Sequence, residues 1–361
     1  MNDLSTICPH FGACSGCTLK KNLDSPGIWQ EAVEFLGPSE LVTGSLYGWR
    51  TKAKLAIRGK FQNPQIGLFR QGTHDVEPIP DCLAHHPSIN QAIKILKRAI
   101  AEEKVFIYDE KRGLLRYVQL FVDLVTKKVQ LSLVVQAHDG SLDRLCANLL
   151  KNDLWHSIWL NVQPAETNRI LGEEWIHIWG EKFLWQELLG KRFPFHPGAF
   201  SQAHWTLFEK LAKQVVEWVP SRAKLLEIYA GVGAMGILAS PKCAEVDLVE
   251  NNPHSYLSFQ EIKTSAHYHL IDGKSATHLL QKADCIIVDP PRKGIDPLLL
   301  ESIKTFQGTL IYVSCDFQTF KRDAKILLES GWLLQEGKGY LLFPGTNHVE
   351  IAALFHCKKN D

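Results

Sequence analysis

Leu225-Leu-Glu-Ile-Tyr-Ala-Gly-Val-Gly-Ala-Met-Gly236 decides the fold of this chain. A short apolar run runs into Gly231, Gly233 and Gly236 in G-x-G-x-x-G spacing, and helix formers follow. Glycine at those points lets a tight turn bring backbone close to a ligand. Glu250 ends the next apolar run fourteen residues after Gly236, where a carboxylate can accept both hydroxyls of a ribose.

Outward from this stretch the rhythm is strand, helix, strand. Apolar runs at 224–229, 245–250, 268–271, 284–289 and 309–314 are separated by helix-length segments, the pattern of a mostly parallel, doubly wound sheet covered on both faces. Residues 339–355 read as two strands joined at Pro344-Gly345, an antiparallel hairpin on the sheet edge. This α/β region spans 191–361. Upstream, 91–190 mixes a helix at 89–101 with strands at 117–122, 129–135 and 157–162, a central α+β domain. Residues 1–90 form a Cys-rich N-terminal region, with a helix at 28–36 and strands at 52–57 and 65–69.

The chain has 361 residues, 45% hydrophobic and 22% charged, as expected of a soluble globular protein. It shows neither a secretory leader nor an apolar stretch long enough for a bilayer, so the expected location is the cytoplasm, and no obligate protein partner is evident. With a net charge of +1, binding of a polyanion must come from a local patch. One is visible between Trp49 and Lys60, where Arg50, Lys52, Lys54, Arg58 and Lys60 alternate with Ala53, Leu55 and Ile57. A strand would bury the apolar side and line the other with cations, although a merely solvated face has the same pattern. Arg70, Lys111, Arg112 and Arg116 would enlarge the patch if the fold brought them near.

The glycine loop alone does not separate a dinucleotide from S-adenosylmethionine, since both carry an adenosine ribose. The residues Asp289-Pro-Pro-Arg292 do. Acidic-Pro-Pro at the end of the fourth strand resembles the motif by which nucleic-acid base methyltransferases line the pocket for the target base, with Pro-Pro stopping the strand and rigidifying the loop. The plain alternative is a strand-ending turn. A nicotinamide enzyme would also need a domain for its hydride acceptor, and none is evident.

Cys315 lies at the end of the fifth strand, just before a helix, in Val-Ser-Cys315-Asp-Phe. Backbone N–H groups and the helix dipole there are expected to lower the thiol pKa. A thiolate added to carbon 6 of uracil makes carbon 5 nucleophilic toward a methyl sulfonium. The carbon-5 proton must then leave, which requires a base. Glu350 is the candidate, a carboxylate at the start of an apolar strand, where partial burial would raise its pKa toward neutrality. His348, two residues away and expected on the same strand face, is the alternative base.

Phe200-Ser-Gln202, Glu-Ile-Tyr-Ala-Gly-Val-Gly, Asp289-Pro-Pro-Arg-Lys-Gly, Val-Ser-Cys315-Asp and Phe-Pro-Gly-Thr-Asn-His-Val-Glu350 together resemble, in kind and order, the RNA uracil-5-methyltransferase family. The resemblance extends through Trp49-Arg-Thr-Lys-Ala-Lys, Lys111-Arg-Gly-Leu-Leu-Arg-Tyr and Asn161-Val-Gln-Pro and looks closest to the bacterial 23S ribosomal RNA branch. It implies a Rossmann-like catalytic domain that uses S-adenosyl-L-methionine, with Cys315 as nucleophile and Glu350 as base. Gln202, Tyr229, Glu250 and Asp289 would contact the methyl donor beside Gly231 and Gly233; the roles of Gln202 and Tyr229 come from the resemblance alone. The transfer-RNA branch has Asn where Ala234 stands and lacks the N-terminal cysteines, which points to a 23S ribosomal RNA substrate. A non-catalytic iron–sulfur RNA-binding protein on the same fold is the rival from another class.

Cys8, Cys14, Cys17 and Cys82 supply four soft ligands in a compartment where disulfides are rare. Three clustered cysteines and one distant one favour iron–sulfur over structural zinc, which draws on two close pairs, while His10, His85 and His86 keep zinc open. Ribosomal-RNA members of the family carry such a 4Fe-4S cluster.

Overall fold

The structure, a computed structural model, describes residues 3–109, 113–164 and 169–357. Lys111 and Arg112 of the expected basic patch lie outside them. The chain sorts into two compact units. The first comprises Met1–Lys21, Ser45–Gln186 and Gln202–Trp205; the second comprises Asn22–Gly44, Glu187–Ser201 and Thr206–Asp361.

Helix α1 (Leu4–Ile7) opens the first unit, whereas α2 (Ile28–Leu36) and β1 (Leu41–Val42) belong to the second. The first unit is built on a seven-stranded sheet of β2 (Lys52–Lys60), β3 (Asn63–Phe69), β4 (Val76–Pro78), β5 (Leu115–Val122), β6 (Val129–Val135), β7 (Trp155–Val162) and β8 (Glu174–Gly180). Their order is β4-β3-β2-β5-β6-β7-β8. Ala53, Leu55 and Ile57 of β2 enter one core with Ile89, Ile93, Leu96 and Ile100 of α3 (Pro87–Glu102) and Leu142, Leu145 and Leu149 of α4 (Gly140–Leu149). The four α3 positions recur on one helical stripe, and each fully buried side chain stabilises the unit by roughly 1.5–3 kcal/mol. A boundary near residue 90 is therefore corrected: Lys52 pairs opposite Phe121 and the sheet runs across it.

After the two-stranded pair β9 (Leu184–Leu188) and β10 (Lys191–Phe195), the second unit alternates helix and strand. It comprises α5 (Trp205–Trp218), β11 (Lys224–Ile228), α6 (Ala234–Ala239), β12 (Glu245–Glu250), α7 (Pro253–Gln260), β13 (His267–Leu270) and α8 (Thr277–Leu280). Then come β14 (Cys285–Val288), α9 (Pro297–Lys304), β15 (Thr309–Ser314), α10 (Phe317–Glu329), β16 (Trp332–Tyr340) and β17 (Glu350–Cys357). The sheet order is β1-β16-β17-β15-β14-β11-β12-β13, with β13, β12, β11, β14 and β15 mutually parallel. The chain reverses its lateral direction beside β11, which creates the crevice where α/β sheets bind ligands. The expected hairpin forms, but not at the rim: β17 pairs antiparallel with both β15 and β16, and β1 runs parallel along β16. Among the described residues no helix is long and apolar enough to cross a membrane.

Candidate active site

The carboxyl ends of adjacent parallel strands carry most of the expected site. Ile228 of β11 is in register with Val249 of β12 and Val288 of β14, Val288 with Tyr312 of β15, and Ser314 of β15 with Ile351 of β17. Across this edge therefore stand Glu250, then Tyr229 with Gly231 and Gly233, then Asp289, Cys315 and Glu350. The four lateral steps from β12 to β17 span roughly 19 Å.

The turn after β11 is sharply bent. Tyr229 has φ 64°, and Gly231 and Gly233 have φ 57° and 79°; left-handed backbone at a tyrosine costs about 1 kcal/mol or more. Its ring is held from outside the turn: Asp296 N–H donates to Tyr229 Oη at 3.2 Å, and Gly273 leaves room for the ring that a side chain would fill. Glu250 is already engaged with this loop, accepting from Gly231 N at 3.0 Å through Oε2 and from Asn251 and Asn252 N at 2.8 Å each through Oε1. Its carboxylate is thereby oriented at the mouth of the glycine loop.

At the other end, Cys315 follows Ser314, whose partner Ile351 directly follows Glu350, and the Glu350 charge acts on the thiol. Glu350 is 2% exposed and its Oε1 has no hydrogen-bond partner among the described residues. Burial first, and Asp289 second, push its pKa well up, with Arg292 opposing. Burial and then Glu250 raise half-buried Asp289 to about 7. The lowered thiol pKa expected from the helix start is not found: burial, then the Glu350 and Asp289 charges, push Cys315 up to about 12, against Arg292. The reason is position. The α10 cap is Asp316, whose own Oδ1 takes the Thr319 N–H, while the thiol is set among carboxylates. His348 is also corrected, since it sits in the loop before β17 and not on the strand.

Gln202 is buried but sorts with the first unit, apart from the other expected donor contacts. Sequence reasoning missed Glu227, inside the very stretch that defined the fold. It is 1% exposed, accepts from Gly236 N at 2.7 Å, and burial lifts it to about 8. The available signal was a charged residue in the middle of a strand covered on both faces.

In the first unit the basic strand keeps its alternation, Ala53, Leu55 and Ile57 buried and Lys54 and Lys60 exposed, but the patch is smaller than expected. Arg50 lies before the strand, among the electrostatic neighbours of Cys17 and Cys82. Arg58 lies over Phe69, Tyr117 and Tyr108 at 5.2–5.9 Å, Arg116 is buried and donates to the Gln163 carbonyl, and Arg70 pairs with Glu77 at 2.8 Å.

Cys14, Cys17 and Cys82 have raised thiol pKa values, Cys17 to about 11, through burial and then through one another and Cys8. Burial is the largest cause in each, and the repulsion among the thiolates is of the kind that a bound metal relieves. The side chains are not closed on a common point, and among the described residues no three His, Cys, Asp or Glu groups form a ready metal site. The histidines are otherwise engaged: His10 with Asp81 at 2.6 Å and Glu77 at 3.2 Å, His85 with Asn90 at 3.2 Å, and His86 with Ser88 N at the start of α3.

The chain resembles known RNA methyltransferases along nearly its whole length. The tRNA (uracil-5-)-methyltransferase family profile matches residues 274–358, the span holding Asp289, Cys315 and Glu350. An uncharacterised RNA methyltransferase of Protochlamydia amoebophila is 40% identical, over 96% of this chain and 97% of its own. Another, of Caldanaerobacter subterraneus, is 26% identical over 97% of this chain and 84% of its own. The tRNA (uracil-54, C5)-methyltransferase of Pyrococcus abyssi, solved with S-adenosyl-L-homocysteine, superposes with a TM-score of 0.81 at 26% identity, covering 95% of this chain and 84% of that one.

Proposed function

The chain belongs to the RNA uracil-5-methyltransferase family, whose members are S-adenosylmethionine-dependent enzymes, and we propose that it methylates carbon 5 of a uridine in 23S ribosomal RNA. The observation that carries this reading is that Cys315, just past the end of β15, and Asp289, just past the end of neighbouring β14, stand by Glu350 at the start of β17, with both carboxylate charges acting on the thiol. Cys315 adds to carbon 6 as the thiolate, carbon 5 takes the methyl group from the sulfonium, Glu350 removes the carbon-5 proton, and the thiolate leaves. Methylated uracil, S-adenosylhomocysteine and one proton result. Tyr229, Gly231, Gly233, Glu250 and Asp289 bind the donor, which supplies the methyl cation.

A thiol titrating near 12 is protonated at neutral pH, so the cationic donor and the exposed Arg292 guanidinium serve to draw it toward the thiolate. Cys8, Cys14, Cys17 and Cys82 hold a 4Fe-4S cluster that ties the N-terminal segment to the first unit, and Lys54 and Lys60 on β2 face RNA phosphates. Transfer RNA is the second reading, favoured by what the Pyrococcus abyssi enzyme acts on. Tritiated methyl transfer to unmodified 23S ribosomal RNA and to unmodified transfer RNA, run side by side, decides the substrate. Labelling of neither would refute the enzymatic reading.

A further inference from the structure

Asp323 is a fully buried carboxylate that the chemistry above leaves unused. It lies on α10, two turns after Cys315, and its partners come from the loop after β14, from β15 and from α10 itself. Its Oδ2 accepts from Ile295 N at 3.0 Å and from Tyr312 Oη at 2.9 Å, and its Oδ1 accepts from Arg322 Nε at 2.8 Å. Arg322 reaches on, donating through Nη2 to the Lys293 carbonyl at 2.9 Å, and Thr319 Oγ1 donates to the Arg292 carbonyl at 2.9 Å. Three side chains of one helix thus hold three consecutive parts of the loop that follows Asp289-Pro-Pro. The approach is so close that a Cβ on Gly294, at φ 87°, would collide with Thr319, Arg322 and Asp323 together.

Resting on the methyl-transfer reading, we infer that Thr319, Arg322 and Asp323 are positioning residues that lock the 289–295 loop to the helix behind Cys315. Asp289 and Arg292 then keep one placement relative to the thiol when RNA enters. A loop held only by its Pro-Pro stop would drift, and a displacement of about 1 Å at reacting groups costs on the order of a hundredfold in rate. The glycine loop and Glu250 lie on β11 and β12 and are not held by these bonds, so of the donor contacts Asp289 is the one that depends on them directly, and donor affinity should suffer far less than turnover.

Asp323→Asn offers one acceptor oxygen where the carboxylate serves three donors, and Thr319→Val keeps the shape without the hydroxyl. Hydrogen exchange is read first: the 289–296 backbone should exchange about tenfold faster in Asp323→Asn, with 225–236 unchanged, and unaltered exchange would mean there is no lock, whatever the chain catalyses. In methyl transfer, Asp323→Asn should lower kcat about a hundredfold and Thr319→Val about tenfold, with KM for the donor changed by much less than kcat and Thr319→Ser close to the parent. Parental kcat in both Asp323→Asn and Thr319→Val, or parallel loss of kcat and donor affinity, would overturn the inference. Should Asp323→Asn fail to fold, the Thr319 pair decides alone, in exchange as in rate. An inactive parent chain would instead overturn the function from which the inference starts.

Discussion

Cys315 and Glu350 are brought together by strand register: they lie more than thirty residues apart in sequence, yet each is one step past the paired Ser314 and Ile351 on neighbouring antiparallel strands. The Glu350 charge is among the causes that raise the Cys315 thiol, as expected of two groups that register brings close.

Removing the sulfur tests the covalent step. Cys315→Ala should lose methyl transfer by at least about a thousandfold and form no adduct with RNA on denaturing gels, whereas Glu350→Gln should accumulate the adduct because the carbon-5 proton stays in place. Turnover by the alanine variant would exclude the mechanism.

The thiol itself has a pH signature. With Cys315 pushed up to about 12, the thiol is protonated across the physiological range, and the free chain should be alkylated there slowly. The rate should climb close to tenfold per pH unit between pH 7 and 10, because only the thiolate reacts. Peptide mapping after iodoacetamide checks this, and a rate already level by pH 8 would contradict it.

Glu227 makes folding stability depend on pH. Its carboxyl titrates near 4.5 when free and near 8 when buried, so between those values the folded chain holds a proton that the unfolded chain has released. Stability therefore falls as pH rises from about 5 to 8 and levels off above. Glu227→Gln cannot ionise and still accepts from Gly236 N; it should be more stable than the parent at pH 8 by on the order of 2 kcal/mol, and not at pH 5. Thermal unfolding at the two pH values measures the difference, and an equal gain at both would remove Glu227 as its source.

Gly236→Ala should be harmful although alanine favours helices, since its Cβ would meet Glu227 Oε2 and Leu248. Overpacking of this kind costs about 1–3 kcal/mol and should shift the glycine loop, weakening S-adenosylhomocysteine binding in calorimetry by about tenfold or more.

If Cys8, Cys14, Cys17 and Cys82 close on a cluster as proposed, iron and labile sulfide should be found at about four of each per chain when the protein is prepared without oxygen, and lost in Cys17→Ser. Colourless protein that contains zinc would reassign the site.

What could be read along the chain was local. The glycine loop, the Pro-Pro stop after Asp289 and the alternation of β2 follow from backbone sterics and from side-chain facing, which depend on neighbours a few residues away. The doubly wound domain was therefore legible, and so was the placement of Glu250, Asp289, Cys315 and Glu350 at or beside the ends of its strands. Tertiary structure alone decided the rest. Joining β2 to β5 in one sheet, inserting β17 between β15 and β16, placing Arg50 among the charges that act on Cys17 and Cys82, and half-burying Cys315 among carboxylates all depend on which distant groups share a region of low dielectric. Burial and charge act through space, so the thiol that a helix start alone would have acidified is instead held protonated.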